Sequence, residues 1–268
     1  MFAYICQTCG TQHEPSQNPP SFCAICQDPR QYIGHQGQLW TTLEEMKGNF
    51  YNAITQEEDH IFGIRTHPDF GIGQRCLLIQ TDEGNVLWDC ISYIDEQTVT
   101  RIEDLGGISY IAISHPHFYS SCFEWSQKFG SKVFLSNDDQ TWITRKPINL
   151  ELWKDKIHLS PSISLVQLGG HFPGSCVLVW DKGQDHKGIL FSSDTIQVGK
   201  DRKSLSSMYS YPNYVPLGTK QINQIKNKIL KYSFDRIYGA FEGDVIYNDA
   251  SNILGSSLQN YINQILDH

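Results

Sequence analysis

The run Ile108-Ser109-Tyr110-Ile111-Ala112-Ile113 is apolar and of strand length. It gives out at Ser114-His115-Pro116-His117. Side chains at i and i+2 of an extended segment point to one side, so His115 and His117 are expected to aim both imidazoles at one point. Ser120 or Ser121 then reads as the N-cap of a helix that runs to Phe129 and stops at Gly130. The histidine pair therefore sits in a turn between a strand end and a helix start, a setting that suits a metal. Two imidazoles alone do not hold a catalytic ion, and the chain offers His171 and Asp194 in similar settings. His171 lies in Gly169-Gly170-His171-Phe172-Pro173-Gly174-Ser175 between two strand candidates, and Asp194 follows the strand candidate ending at Phe191. Three imidazoles and a carboxylate form a donor set suited to zinc, iron(II) or manganese.

A second set of ligands stands at the N-terminus. Cys6-Gln7-Thr8-Cys9-Gly10 is followed, after thirteen residues, by Cys23-Ala24-Ile25-Cys26. Each pair can form a tight turn with backbone amides facing the sulfurs, and two such turns supply four thiolates to a tetrahedral site. The intervening segment, with Pro15, Pro19 and Pro20, is too poor in apolar residues to fold unaided, so a bound metal is expected to stabilise it. Residues 1–38 resemble a rubredoxin-like zinc ribbon. The rubredoxin pattern Cys-Pro-x-Cys-Gly is absent from both pairs, which favours structural zinc; iron would instead make the ribbon an electron carrier, and two disulfides are the remaining reading. Cys76, Cys90, Cys122 and Cys176 stand singly in apolar surroundings and read as core residues. His13 and His35 read as exposed loop residues.

The 268 residues suffice for one large domain and a small one, divided as 1–38 and 39–268. A net charge of -8 with scattered basic residues gives no footprint for nucleic acid. No run is long and apolar enough for a membrane span, and the N-terminus lacks a secretory pattern, so a cytoplasmic protein acting on a small molecule is expected. The ribbon is a surface through which a protein partner can be recruited; oligomeric state is left open.

From residue 39 strands are expected at His60–Arg65, Arg75–Thr81 and Val86–Cys90, the last two joined by a turn at Asp82-Glu83-Gly84-Asn85. A helix capped by Asp95 and ended by Gly106-Gly107 precedes the histidine turn. After a short strand from Lys132 and a short helix at Asn137–Thr144, the order of elements repeats. Strands at Ile163–Leu168, Cys176–Trp180 and Gly188–Phe191 lead to a helix over Gly218–Tyr232, a strand at Phe234–Tyr238 and a terminal helix over Ala250–Leu266. Two such halves predict an α/β (α+β) chain in which two sheets pack face to face with helices outside, a four-layer αββα sandwich. Gln197–Pro216 is the longest irregular stretch; its Met208, Tyr209 and Tyr211 are either a substrate loop or hydrophobic plugs.

Residues 39–268 resemble the metallo-β-lactamase superfamily. Its first metal motif, His-x-His-x-Asp-His, is met here by His115-Pro116-His117-Phe118-Tyr119-Ser120, so both histidines match while Tyr119 and Ser120 replace the aspartate and third histidine. His171 matches the family's histidine in a glycine-rich turn, Asp194 its bridging aspartate, and Phe241 stands where its last histidine falls. The resemblance implies that His115, His117, His171 and Asp194 hold one metal, and that the unshared ligands of a second site are lost at Tyr119, Ser120 and Phe241. A phenol with a pKa of about 10 does not replace a carboxylate ligand at neutral pH. Asp89, in Leu87-Trp88-Asp89-Cys90, resembles the family's buried acid that orients a histidine ligand.

The implied activity is that of a mononuclear metallohydrolase acting on an ester, thioester, lactone or phosphoester, with one zinc, or alternatively iron(II) or manganese, in the sandwich. Asp194 would bind the metal and orient the water, and Tyr119 would lie beside the metal. Glu124 and Glu242 read as solvated. Two alternatives stay open: an iron oxygenase resembling persulfide dioxygenases, and a metal-stabilised scaffold without activity.

Overall fold

The computed structural model describes residues 1–266, with the backbone alone at positions 184 and 185. The chain forms two units, Met1–Leu135 with Gln140–Leu152, and Ser136–Asp139 with the residues from Trp153 onward. Among the described residues no helix is long and apolar enough to cross a membrane.

In the first unit, β1 (Ile5–Cys6) pairs antiparallel with β2 (Trp40–Thr41), and α1 (Leu43–Met46) follows directly. Thr42 and Glu45 close a reciprocal capping box on that helix. A seven-stranded sheet has the order β3 (Tyr51–Glu58), β4 (Ile61–His67), β5 (Arg75–Ile79), β6 (Val86–Trp88), β7 (Tyr110–Ala112), β8 (Lys132–Ser136), β9 (Leu150–Trp153). Strands β3 to β6 are antiparallel, whereas β6–β7 and β7–β8 are parallel, because α2 (Glu96–Asp104) and α3 (Cys122–Phe129) provide the crossovers. The Asp95 carboxylate caps α2 by accepting from Thr98 N at 2.7 Å, and Gly130 ends α3 at φ 67°. Ser121 occupies the N-cap position of α3 without capping it; its hydroxyl donates to Ile91 O and Ser92 O instead. The longest strand absent from the expectation is β3, whose sequence Tyr-Asn-Ala-Ile-Thr-Gln-Glu-Glu is polar and has no buried position. It is an edge strand, held by its ladder to β4 rather than by an apolar face.

In the second unit, β10 (Lys156–His158), β11 (Ile163–Gln167), β12 (Cys176–Trp180) and β13 (Ile189–Phe191) form an antiparallel run. α4 (Gly183–His186) lies between β12 and β13. Gln197–Pro216 is not irregular: it folds as two small ladders, β14 (Gln197–Val198) with β15 (Leu205–Ser206), and β16 (Met208–Ser210) with β17 (Val215–Pro216). Strands of two or three residues carry no readable periodicity, so their pairing is invisible until the chain is folded. α5 (Thr219–Ile229) then crosses to β18 (Arg236–Tyr238), parallel to β13, before β19 (Val245–Ile246) and α6 (Ala250–Leu266). Ile222, Ile225 and Ile229 of α5 and Leu254, Leu258 and Ile262 of α6 join one buried cluster. Each such side chain contributes about 1.5–3 kcal/mol relative to exposure.

All eight cysteines are free and buried. Burial pushes the Cys76 and Cys90 thiols well above their ordinary range and raises Cys122 to about 12. A thiol reagent is therefore expected to spare Cys76, Cys90, Cys122 and Cys176 in the native protein and, once a chelator is added, to modify Cys6, Cys9, Cys23 and Cys26. Mass mapping of the labelled peptides checks this, and native labelling of Cys90 would count against its burial.

Candidate metal centres

The cysteine centre is assembled by two turns. Gly10 N donates to Cys6 O, Cys6 N to Thr11 O and Gln27 N to Cys23 O, so each pair is folded back on itself. Cys6 and Cys26 sulfurs lie 3.5 Å apart and those of Cys9 and Cys23 3.6 Å apart. A tetrahedron with metal–sulfur bonds of about 2.3 Å has edges of about 3.8 Å, so the four sulfurs fit one ion and are not joined as disulfides. Gln38 Nε2 donates to Cys6 Sγ at 3.1 Å. Hydrogen bonds from Cys26, Cys6 and Cys9 pull the Cys23 thiol far below its ordinary range, while Cys23 pushes Cys26 up. A metal displaces the remaining thiol protons, which is why such centres tighten as pH rises. His13, expected to be exposed, is half-buried, packs edge-on against Trp40 at 4.8 Å and adds a hydrogen bond that lowers Cys23; His35 is exposed.

His115 and His117 reach one another by a different route from the strand pleat. His115 is extended at φ -170°, but Pro116–Phe118 is a 3-10 turn. Proline's fixed φ suits the first helical position, so the chain bends at Pro116 and brings the two rings to 5.1 Å between centroids. Ser114 Oγ lies 2.8 Å from His115 Nδ1, so Nε2 would be the donor to a metal. Asp89, buried and at φ 61°, accepts from Ser114 N at 2.8 Å. Its carboxylate thus holds the backbone beside His115, and Ser114 places the ring. Ser114 carried no sequence signal beyond its position next to a histidine.

Ser120 takes φ 43°, a left-handed conformation that costs a non-glycine residue about 1–3 kcal/mol. Its neighbours hold it there: its hydroxyl donates to Cys90 O, Gln74 Nε2 donates to that hydroxyl, and its carbonyl accepts from Gln12 N at 3.0 Å. Tyr119 is buried, and Phe241 is half-buried in the turn closed by Asp244 N on Phe241 O. Glu124 is not solvated; it is half-buried in an ion pair with Arg145. Glu242 is exposed.

In the second unit His171 follows Gly169 and Gly170, at φ 73° and 93°. Its Nδ1 lies 3.0 Å from Met208 O and 2.9 Å from Tyr209 O. Carbonyls only accept, so Nδ1 carries the proton and Nε2 the metal-binding lone pair. The register shift in β16 explains how two successive carbonyls serve one ring. Tyr211 OH donates to Asp194 O at 2.8 Å, and its ring lies 5.4 Å from that of His171. Burial, and then the Asp194 charge, push this phenol well above its ordinary pKa, so it remains a donor. Met208, Tyr209 and Tyr211 therefore brace His171 and Asp194. Asp194 sits in a turn closed by Thr195 N on Ser192 O and by Thr195 Oγ1 on Cys176 O. A Cβ on Gly174 would come within 2.3 Å of Ser136 Oγ and 2.7 Å of Asp139 Cγ. Gly174→Ala is expected to cost about 1–3 kcal/mol through overpacking, read as a lower thermal midpoint.

The ligand atoms of His115, His117, His171 and Asp194 all lie within 4.8 Å of one another, as do the four cysteine sulfurs. Every one of these eight residues is at most 5% exposed. The donor chemistry of each set fits a divalent ion: thiolates alone in one, nitrogen and oxygen in the other.

No protein-family model matches the chain. Among solved structures it is similar to DIM-1 metallo-β-lactamase, with 14% identity, a TM-score of 0.59, and coverage of 78% of this chain and 98% of that one. It is also similar to a B3 metallo-β-lactamase described as having an active-site glutamic acid, with 17% identity, a TM-score of 0.53, and coverage of 76% and 86%. The class is thereby defined: a mixed α/β chain of the metallo-β-lactamase fold, carrying two groups of side chains able to hold metal. Within it, the chain belongs to the same family as YmaE of Bacillus subtilis (strain 168), described as an uncharacterized protein, with which it is 44% identical over 262 residues, 97% of this chain and 95% of YmaE.

Proposed function

We propose that the protein is a mononuclear metallohydrolase whose single catalytic ion is held by His115, His117, His171 and Asp194, with a structural zinc on Cys6, Cys9, Cys23 and Cys26. The observation that carries this reading is the buried set of three imidazoles and one carboxylate with ligand atoms within 4.8 Å. The loss of a second site is supported by Ser120, whose hydroxyl is engaged by Cys90 O and Gln74, and by Phe241, which offers no donor atom.

When bound, the ion supplies a lowered pKa for water, to about 7, and polarisation of an ester, thioester, lactone or phosphoester oxygen. His171 keeps Nδ1 protonated against two carbonyls and so cannot itself take a proton there. Glu124 is committed to Arg145 and Glu242 is exposed. Asp194, the carboxylate within the ligand set, is proposed to accept a proton in the site, and Tyr211 holds its backbone in place. Tyr119, buried beside the histidines in sequence, is proposed to donate to a substrate oxygen. Free cysteines suit a reducing compartment, and the protein is proposed to be cytoplasmic.

One observation favours a second reading. All four ligands are buried, and four protein ligands can close a tetrahedral structural site with no position for substrate. Plasma mass spectrometry on untagged protein, combined with a panel of thioester, lactone, carboxyl ester and phosphodiester substrates, separates the two. Two ions per chain with turnover of at least one substrate is expected. Two ions per chain with none turned over would favour the closed site, and a content of three would defeat the mononuclear proposal.

A further inference from the structure

The ribbon and the histidine turn share a joint, and it is built around one residue. Gln12 is 2% exposed, and each of its polar groups is committed. Its N–H donates to Ser120 O, its carbonyl accepts from Thr144 Oγ1 at 2.8 Å, its Oε1 accepts from Arg145 Nη1, and its Nε2 donates to Glu124 Oε1 at 3.3 Å. Arg145 in turn pairs with Glu124 and stacks over the Phe123 ring at 3.8 Å. Gln12 thereby ties the first turn of α3 to the last residue of the histidine turn.

On its other side Gln12 belongs to the cysteine turn. Cys6 N donates to Thr11 O, Ile5 bridges Gln12, and Ser92 Oγ donates to Gly10 O at 2.7 Å. Gly71 fits against this turn so closely that a Cβ there would meet the backbone of Cys9 and Gly10 at 3.2 Å. An ion on the four sulfurs would cross-link the turn that ends in Gln12, and Gln12 N holds the carbonyl of Ser120, whose backbone is left-handed. We infer that the ribbon is a positioning element for the histidine site, and that Gln12 is the residue through which filling the cysteine centre tightens metal binding at His115 and His117.

This inference rests on the proposed role of the two histidines as metal ligands. Coupling of this kind is a shared free energy between sites, about 5- to 150-fold in affinity where measured in proteins, and it is reciprocal.

The test uses the full chain with zinc on the cysteines and cobalt(II) titrated into the histidine site, followed by its visible absorption. Gln12→Ala, which keeps the main-chain bond to Ser120 but removes the side-chain ties to Arg145 and Glu124 that seat it, is expected to weaken cobalt uptake at that site about 10- to 100-fold while cysteine-bound zinc stays at one per chain. Gln7→Ala, which removes an exposed contact to Trp40 O elsewhere on the ribbon, is expected to change nothing. Gln12→Glu alone should also weaken uptake, because it sets two carboxylates side by side, and pairing it with Glu124→Gln should restore most of the loss. Unchanged affinity in Gln12→Ala overturns the inference and leaves the metallohydrolase reading standing. Wild-type protein that takes up no ion outside the cysteine centre overturns both. If Gln12→Ala also sheds the cysteine-bound zinc, the exchanged pair decides: recovery supports the joint, and persistent loss overturns it.

Discussion

Asp194→Asn is expected to keep the ion of the histidine site and to lose about 10²- to 10⁴-fold in turnover. Asparagine preserves the side chain's length and one oxygen, and the turn that carries it is held by backbone and hydroxyl bonds from Ser192, Thr195 and Tyr211. What it removes is the negative charge and the capacity to accept a proton. Of the two glutamates weighed for that task, Glu124 pairs with Arg145 and Glu242 faces solvent. His171→Ala should behave differently, because it deletes a donor whose tautomer is set by Met208 O and Tyr209 O; there the metal content itself should fall. Metal content and turnover measured on the same preparations separate the cases. An Asp194→Asn variant as fast as wild type on the substrate that wild type uses would remove the hydrolytic mechanism.

The second large effect is expected at the cysteine centre. Cys9→Ser should release the ribbon metal and unfold the segment from about residue 17 to 38, whose apolar content is low. Structural zinc is worth about 10–16 kcal/mol in small zinc-dependent peptides at neutral pH, and the cluster here consists of the four cysteines and Ile25, with Trp40 and Trp142 packed against it. Ile5 is anchored separately, against Met46 and Tyr93. Limited proteolysis should therefore cut first between residues 17 and 38, while β1 and residues 13–16, bonded to the start of the chain and to Thr144, stay protected longer. A variant with a fully protease-resistant N-terminus would show that the ribbon does not depend on its metal.

Much of this protein was legible before folding. Cys6, Cys9, Cys23 and Cys26, and His115, His117, His171 and Asp194, declare their chemistry through donor type and spacing, and both sets converge. Local rules also located the Asp95 cap, the Gly130 stop and α6. Such features depend on side-chain chemistry and on backbone preferences within a few residues, which a linear reading contains.

The supports of the sites were not legible. Arg145 meets Gln12 across 133 positions, Tyr211 reaches Asp194 through a carbonyl, and His171 is held by main-chain atoms of Met208 and Tyr209. A backbone carbonyl has no residue signature, and a hydrogen bond between distant segments leaves no period in the chain. His115 and His117 meet as their i, i+2 spacing predicts, yet what brings them together is the 3-10 turn begun by Pro116 rather than a strand pleat. Residue types and spacing thus determined which atoms can bind a metal. How those atoms are held, and that Gln12 ties the ribbon to the histidine turn, was decided by tertiary packing, because only there do segments far apart in the chain satisfy one another's buried polar groups.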